Sequence, residues 1–245
     1  MSIILVGGTS EIGNAVVRGL VSRSALGGEV TRISRQALTQ PSSSSSSSEL
    51  SVTFDAFWAD PNHCDLVAKT RHLVLSVGSF KATEGESLNP GNLWEMIAVN
   101  ARVNLDFLAD FVAVFEAVRT GHDRVEVHFV SSVLADFSRH GSLDYSLSKD
   151  LVERKLIGWA QEGPDWLELF VWKPAYVDTK FHTIGRQVRG IRTSLGHIEA
   201  QVRRHRKPGI RYVPAWVGAP VKLLKVSPGL ASLVSKVMTR IGNGG

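Results

Sequence analysis

The chain has 245 residues, 43% of them hydrophobic and 21% charged, a balance that suits one soluble α/β domain with a sizeable core. A single cysteine, Cys64, excludes an internal disulfide and fits a reducing compartment, and no stretch reaches the roughly 18 uninterrupted apolar residues of a membrane span. The formal charge of +5 is uneven: from Lys180 onward there are thirteen Lys or Arg and one acid, Glu199, so the last third is either a solvated basic face or a surface for an anionic partner.

The apolar run Ile3-Ile4-Leu5-Val6 reads as a strand, too short for a signal peptide and leading straight into the turn "GGTSEIG" (7–13). A helix is expected from about Glu11 to Ser22. Residues 29–34 ("EVTRIS") read as the second strand, and 51–60 ("SVTFDAFWAD") contain the third. Between them, 36–50 is expected to be a flexible Ser-rich loop, with serine at every position from 42 to 48, in place of much of a covering helix. "LVLSVG" (73–78) reads as strand four, and the stripe Leu93, Ile97, Leu105, Leu108, Val112, Phe115 predicts a long helix over about 92–118. Strand five is expected at 125–132, a helix at 144–162, strand six at 166–174 and a last strand at 209–214. The alternation predicts a doubly wound parallel sheet of about seven strands in a single domain, 1–245.

The chemistry gathers in the second half. Ser132 ends a buried strand, Tyr145 follows thirteen residues later, and Lys149 four after that. A helical spacing of four puts Tyr145 and Lys149 on one face. Free tyrosine titrates near 10 and is a poor acid at neutral pH, whereas a neighbouring ammonium is expected to lower that value. Ser132 can hydrogen-bond a reacting oxygen. A lone YxxxK is common by chance; with a strand-end serine thirteen residues upstream it is a specific signal.

Here the sequence resembles the short-chain dehydrogenase/reductase family over essentially its whole length. The turn matches the family's TGxxxGxG at Gly7 and Gly13, with Thr9, Ser10 and Ile12 between them. Val6 stands where the motif has threonine, and Glu11 replaces the middle glycine. The resemblance implies that Asp60 holds an adenine ring, that Asn100 in "MIAVNARVN" belongs to the catalytic set with Ser132, Tyr145 and Lys149, and that Pro174, Val177 and Thr179 of "KPAYVDT" line a nicotinamide site. It also gives Asn100 a water that relays the proton to Lys149, and Lys149 the nicotinamide ribose. Gly78 belongs to the segment after strand four, where the usual NNAG reads Ser76-Val77-Gly78-Ser79 and side-chain bonding is expected to weaken. Glu11 suits the start of a helix. Its charge would repel a diphosphate held on free helix amides, so its side chain is expected to point away. Arg35, after the second strand, can grip a 2′-phosphate, which favours NADP over NAD.

The implied activity is reduction of a ketone to a secondary alcohol. "GGTSEIG", the Ser-x-Gly after strand four and the tail are similar to the decaprenylphosphoryl-2-keto-ribose reductase-like subgroup, whose substrate is a keto-sugar on a lipid phosphate. A ketoreductase for a carrier-bound or small natural-product ketone is a second reading, and a non-catalytic dinucleotide-binding scaffold a third. Residues 180–207 are expected to form a substrate lid, and 208–245 a basic apolar tail able to touch an anionic membrane. The tail's Trp216, Val217 and Val221 lie among Lys222 and its neighbours, and core or oligomer packing is the rival explanation. No nucleic-acid partner is expected from "RRHRKPGIR" (203–211), and no metal from His63, His72, His122, His128, His140 or His182. A cytoplasmic homo-oligomer is expected, peripheral to the inner membrane face if the tail docks.

Overall fold

A computed structural model describes residues 1–24, 28–36, 49–80, 90–121, 123–136, 142–177, 179 and 192–226. In chain order the elements begin β1 (Ser2–Val6), α1 (Glu11–Val21), β2 (Glu29–Ser34), β3 (Glu49–Thr53), α2 (Phe54–Ala59), α3 (His63–Lys69) and β4 (Thr70–Leu75). Next come α4 (Pro90–Met96), a π-helical turn (Ile97–Arg102), α5 (Val103–Val118), β5 (Val125–Val130), a 3-10 turn (Val133–Ala135) and α6 (Leu143–Glu162). The rest comprises β6 (Leu167–Pro174), β7 (Tyr176–Val177), β8 (Arg192–Thr193), α7 (Leu195–Arg204), β9 (Gly209–Val213), a second 3-10 turn (Ala215–Val217) and α8 (Gly218–Val226).

Seven strands form one sheet, all neighbours parallel, in the order β3-β2-β1-β4-β5-β6-β9. The order reverses between β1 and β4, which opens a crevice beyond their carboxyl ends. Strands of such a sheet are buried on both faces and so read as continuous apolar runs. Along β1, Ile3 and Leu5 join the core under α1 and α7, while Ile4 and Val6 join the opposite core under α3, α5 and α6. The predicted doubly wound seven-stranded sheet is the observed one.

Several boundaries differ. The third strand ends at Thr53, whose hydroxyl caps α2 by accepting from the Ala56 amide at 3.2 Å. Glu49 and Leu50, expected in the Ser-rich loop, belong to β3, and 37–48 lie outside the described residues. The long helix over 92–118 is broken by the π turn.

The largest difference concerns the carboxyl end of the segment expected as a lid. Residues 195–204 of the expected 180–207 segment form α7, a core helix packed on α1. Ile198 and Val202, one helical turn apart, are buried there. Gly19 of α1 permits the crossing, because a Cβ at that position would stand 2.7 Å from Val202 Cβ. Arg18 pairs with Glu199 at 3.0 Å across the same contact. Residues 180–191 lie outside the described residues, and β8, which follows them, pairs in parallel with β7.

Candidate active site

The turn after β1 is built around two glycines. Gly7 has φ +95°, and a Cβ on it would come within 2.8 Å of the Ser76 backbone. A Cβ on Gly13 would stand 2.7 Å from Ser76 Cβ, so this glycine lets α1 press onto the sheet. Ser10 caps α1 by accepting from the Gly13 amide at 3.0 Å, and its hydroxyl meets that of Ser76 at 2.7 Å. Asn14 braces the turn by donating to the carbonyls of Gly8 and Ser10 at 2.9 and 2.8 Å, and Arg32 in turn donates to Asn14 at 3.0 Å.

Gly7, Thr9, Ser10, Ile12, Arg35, Gly78, Ser132, Tyr145, Lys149, Pro174, Val177 and Thr179 line one cavity of about 620 Å³ over the strand ends. Glu11, at the start of α1, also lines it. Gly13 and Asn100 lie behind the wall and shape it. Asp60 is not among these lining residues: it comes seven residues after β3 ends, at the carboxyl end of α2, and its Oδ1 accepts from the Asn62 amide at 2.8 Å. Intervening helix α2 carries the chain away, and Phe54 and Trp58 line the cavity instead.

The segment after β4 is not weakly held. Asn100, fully buried in the π turn, accepts from the Ser79 amide at 2.6 Å and donates to the Ser79 carbonyl at 3.0 Å and to Ser148 Oγ at 2.9 Å. Asn104, one turn on, accepts from the Val77 amide at 3.3 Å and donates to the Val77 carbonyl at 3.0 Å. Two asparagines thus supply the bonding that the sequence lacks at 76–79. Asn104 could have been found by its i, i+4 spacing from Asn100 within "NARVN".

Lys149 is buried, and its Nζ donates to the Val130 and Val77 carbonyls at 3.2 and 3.4 Å. Gly78 leaves this ammonium open, since a Cβ there would sit 3.2 Å from Nζ. Burial lowers its pKa to about 8. Tyr145 stands edge-on to Phe80, with ring centroids 5.2 Å apart. Burial pushes its phenol up to about 12, against an opposing hydrogen bond with Ser132. The expected lowering by Lys149 is therefore not found: Lys149 is turned to carbonyls, and Ser132 is the group that favours the phenolate. Ser132 Oγ also accepts from the Leu134 amide at 3.2 Å.

Ligand-type atoms also meet outside the cleft, which the histidine spacing did not suggest. Glu126 Oε2 lies 3.0 Å from His128 Nε2, 3.2 Å from His72 Nδ1 and 3.2 Å from Arg23 Nη1. The Trp172 indole N–H, which can only donate, reaches His128 Nδ1 at 3.1 Å. That bond assigns the His128 proton to Nε2, facing Glu126. A metal at Nε2 would force the proton onto Nδ1 against the indole, so this arrangement is a hydrogen-bonded brace. Burial lowers the His128 pKa to about 4, although Glu126 favours the charged form.

No protein-family model and no curated protein matches the chain. Among solved structures, a short chain dehydrogenase from Burkholderia cenocepacia J2315 in complex with NADP is 15% identical, with 96% of each chain covered and a TM-score of 0.71. Aldohexose dehydrogenase from Thermoplasma acidophilum is 17% identical over 86% of this chain and 91% of its own, with a TM-score of 0.62. A 3-oxoacyl-[acyl-carrier protein] reductase from Brucella melitensis in complex with NAD is 18% identical over 82% and 88%, with a TM-score of 0.58. The chain has the fold of the short-chain dehydrogenases.

Proposed function

We propose that the protein is an NAD(P)H-dependent oxidoreductase that reduces a ketone to a secondary alcohol. The observation that carries this reading is the meeting of Ser132, Tyr145 and Lys149 in the cavity that opens on the glycine turn. The cavity fits a dinucleotide: the first turn of α1 faces it, Arg35 and Lys149 supply cations, and Gly78 keeps the Lys149 ammonium accessible. When bound, the dinucleotide supplies the hydride for the ketone carbon. Tyr145 gives the proton to the ketone oxygen, Ser132 orients that oxygen, and Lys149 holds positive charge beside both. Asn100 and Asn104 keep residues 77–79 in place as the opposite wall. Arg35, exposed at the cleft end of β2, supports NADP over NAD.

Replacing Tyr145 with Phe removes the proton donor while leaving the turn and Lys149. The expected result is a loss of order 10²–10⁴ in kcat with dinucleotide binding retained. A rate within about tenfold of the parent would reject the assignment, and so would the absence of any ketone turnover, which is what the scaffold reading requires.

The finer reading is a lipid-linked keto-sugar substrate taken at an anionic membrane. It is supported by Trp216, 61% exposed, and by the exposed Arg203, Arg204, Arg206, Lys207 and Lys222 in the same third of the chain. Val217 and Val221 of the tail pack instead against Val133 and Ala175, as the rival explanation holds, and 227–245 lie outside the described residues. Among the described residues no helix is long and apolar enough to cross a membrane. Binding to anionic vesicles that fades with salt is expected, and indifference to vesicle charge would leave the carrier-bound or small-ketone reading. A cytoplasmic homo-oligomer belongs to the same proposal, with Trp94, Leu147 and Leu151 exposed on α4 and α6.

A further inference from the structure

Under the floor of the cleft, one buried charge cluster joins four parts of the chain. Lys173, at the end of β6, is wholly buried, and its Nζ lies 2.6 Å from Asp136 Oδ1 and 2.5 Å from Glu153 Oε1. Ser131 Oγ donates to the other Glu153 oxygen at 2.8 Å. The Tyr212 ring of β9 faces the same ammonium, 5.6 Å from ring centre to Nζ. Buried charges persist only when paired and hydrogen-bonded, so such a cluster has few low-energy arrangements. Whatever is attached to it is held with it.

The attached piece is the segment that carries Ser132. Ser131 and Asp136 are the two ends of a short turn in which the Ala135 amide donates to the Ser132 carbonyl at 3.1 Å and the Asp136 amide to the Val133 carbonyl at 3.1 Å. Ser132 therefore sits between an end held by Glu153 and an end held by Lys173. Glu153 comes eight residues after Tyr145 and four after Lys149, on the same face of α6. Lys173 itself precedes Pro174 and Ala175, which wall the cleft.

We propose that Lys173 is a positioning residue for the reaction: by bridging Asp136 and Glu153 it sets the place of Ser132 Oγ against the Tyr145 phenol. The proposal rests on the oxidoreductase reading for its kinetic effect, while the bridge itself is geometric.

A double-mutant cycle of Lys173→Met with Ser132→Ala tests it. Lys173→Met is expected to lower kcat about tenfold or more, with the dinucleotide Kd within about twofold, and to have little further effect once Ser132 is alanine. An equal loss in both backgrounds, or a fall in melting temperature with kcat unchanged, overturns the proposal. Glu153→Gln, which keeps the lysine and loses one arm of the bridge, serves in the same cycle if Lys173→Met does not fold. A second readout needs no turnover. The chain has three tyrosines, and ζ-carbon labelling resolves the Tyr145 ring by NMR. Ser132→Ala displaces that signal by removing its hydrogen bond. Lys173→Met or Glu153→Gln is expected to displace it in the same direction, and an unmoved signal overturns the proposal. A displaced signal in a protein that reduces no ketone supports the bridge and rejects the oxidoreductase reading alone.

Discussion

Two lysines are buried near the cleft, Lys149 on α6 and Lys173 on β6, and their surroundings are opposite. Lys149 is 3% exposed and bonded to backbone carbonyls; among the described residues no carboxylate pairs with it. Lys173 is 0% exposed and lies between two carboxylates. A paired ammonium is fixed in place and contributes position. An unpaired one costs the fold something, keeps its charge available to a ligand, and titrates close to neutral pH. On the proposed function, the contrast separates a residue for chemistry from one for geometry, although both are buried lysines.

The sharpest way to break the contrast is to remove each charge. Lys149→Met is expected to lose a factor of order 10²–10⁴ in turnover while the melting temperature holds or rises. The native state then no longer bears roughly 3 kcal/mol of charge burial, the cost implied by a pKa lowered from 10.5 to about 8. Thermal melts beside kinetics check both halves, and a clear drop in melting temperature would contradict the idea that this charge is held at a cost. The sign with pH follows from the same shift. Between about 8 and 10.5 the unfolded chain binds more protons than the native one, so stability rises with pH across that window. The charge itself is lost there, so kcat/KM of the parent should fall above about pH 8, and Lys149→Arg should move that limb upward.

Lys173→Met should do the reverse. Two carboxylates are left without their cation, a loss of about 3–5 kcal/mol, or roughly 6–20 °C in melting temperature. An unchanged melt would show that the cluster relaxes easily, and the comparison with Lys149 would lose its force.

The smallest expected effect lies at the other end of the strands. His128 is buried and neutral, with a native pKa lowered from 6.5 to about 4. As pH falls through that window the unfolded chain takes the proton first, so stability drops with acid, by roughly 3 kcal/mol for this group. Glu126 adds to the loss further down: burial alone would raise its pKa, but hydrogen bonds from His128 and His72 hold it well below the usual range. Urea unfolding at pH 7 and pH 4.5, in the parent and in His128→Gln, measures this; an equal loss in the variant would place the acid sensitivity elsewhere.

What was legible in the sequence was local or strictly periodic. The glycine turn, the buried strands and the Tyr145–Lys149 pair each declare themselves within a few residues. The place of Asp60 was not legible because it depended on where the third strand stops, and a threonine cap at Thr53 ends it early. Helix α7 was hidden because its two core residues, Ile198 and Val202, stand among polar and basic ones in a stretch read as a lid. The Lys173 cluster could not be read at all: its bonded pairs are 20 to 37 residues apart, and pairing across that distance is decided by the order of the strands. Asn104 lay between these cases, visible by spacing yet without a stated task until the backbone of Val77 was seen to need it.

The crossing of α1 and α7 at Gly19 has a consequence in time as well as in space. The first helix presents its apolar side to a partner about 180 residues downstream, as the Arg18–Glu199 pair spans. At translation rates of about 5–20 residues per second, roughly 10–40 s separate the emergence of the two helices from a ribosome. During that interval the side of α1 bearing Val16 and Leu20 has no native cover from α7. Contacts of such high sequence separation slow folding, so β1, an interior strand of the sheet and the first made, is among the last to be sealed.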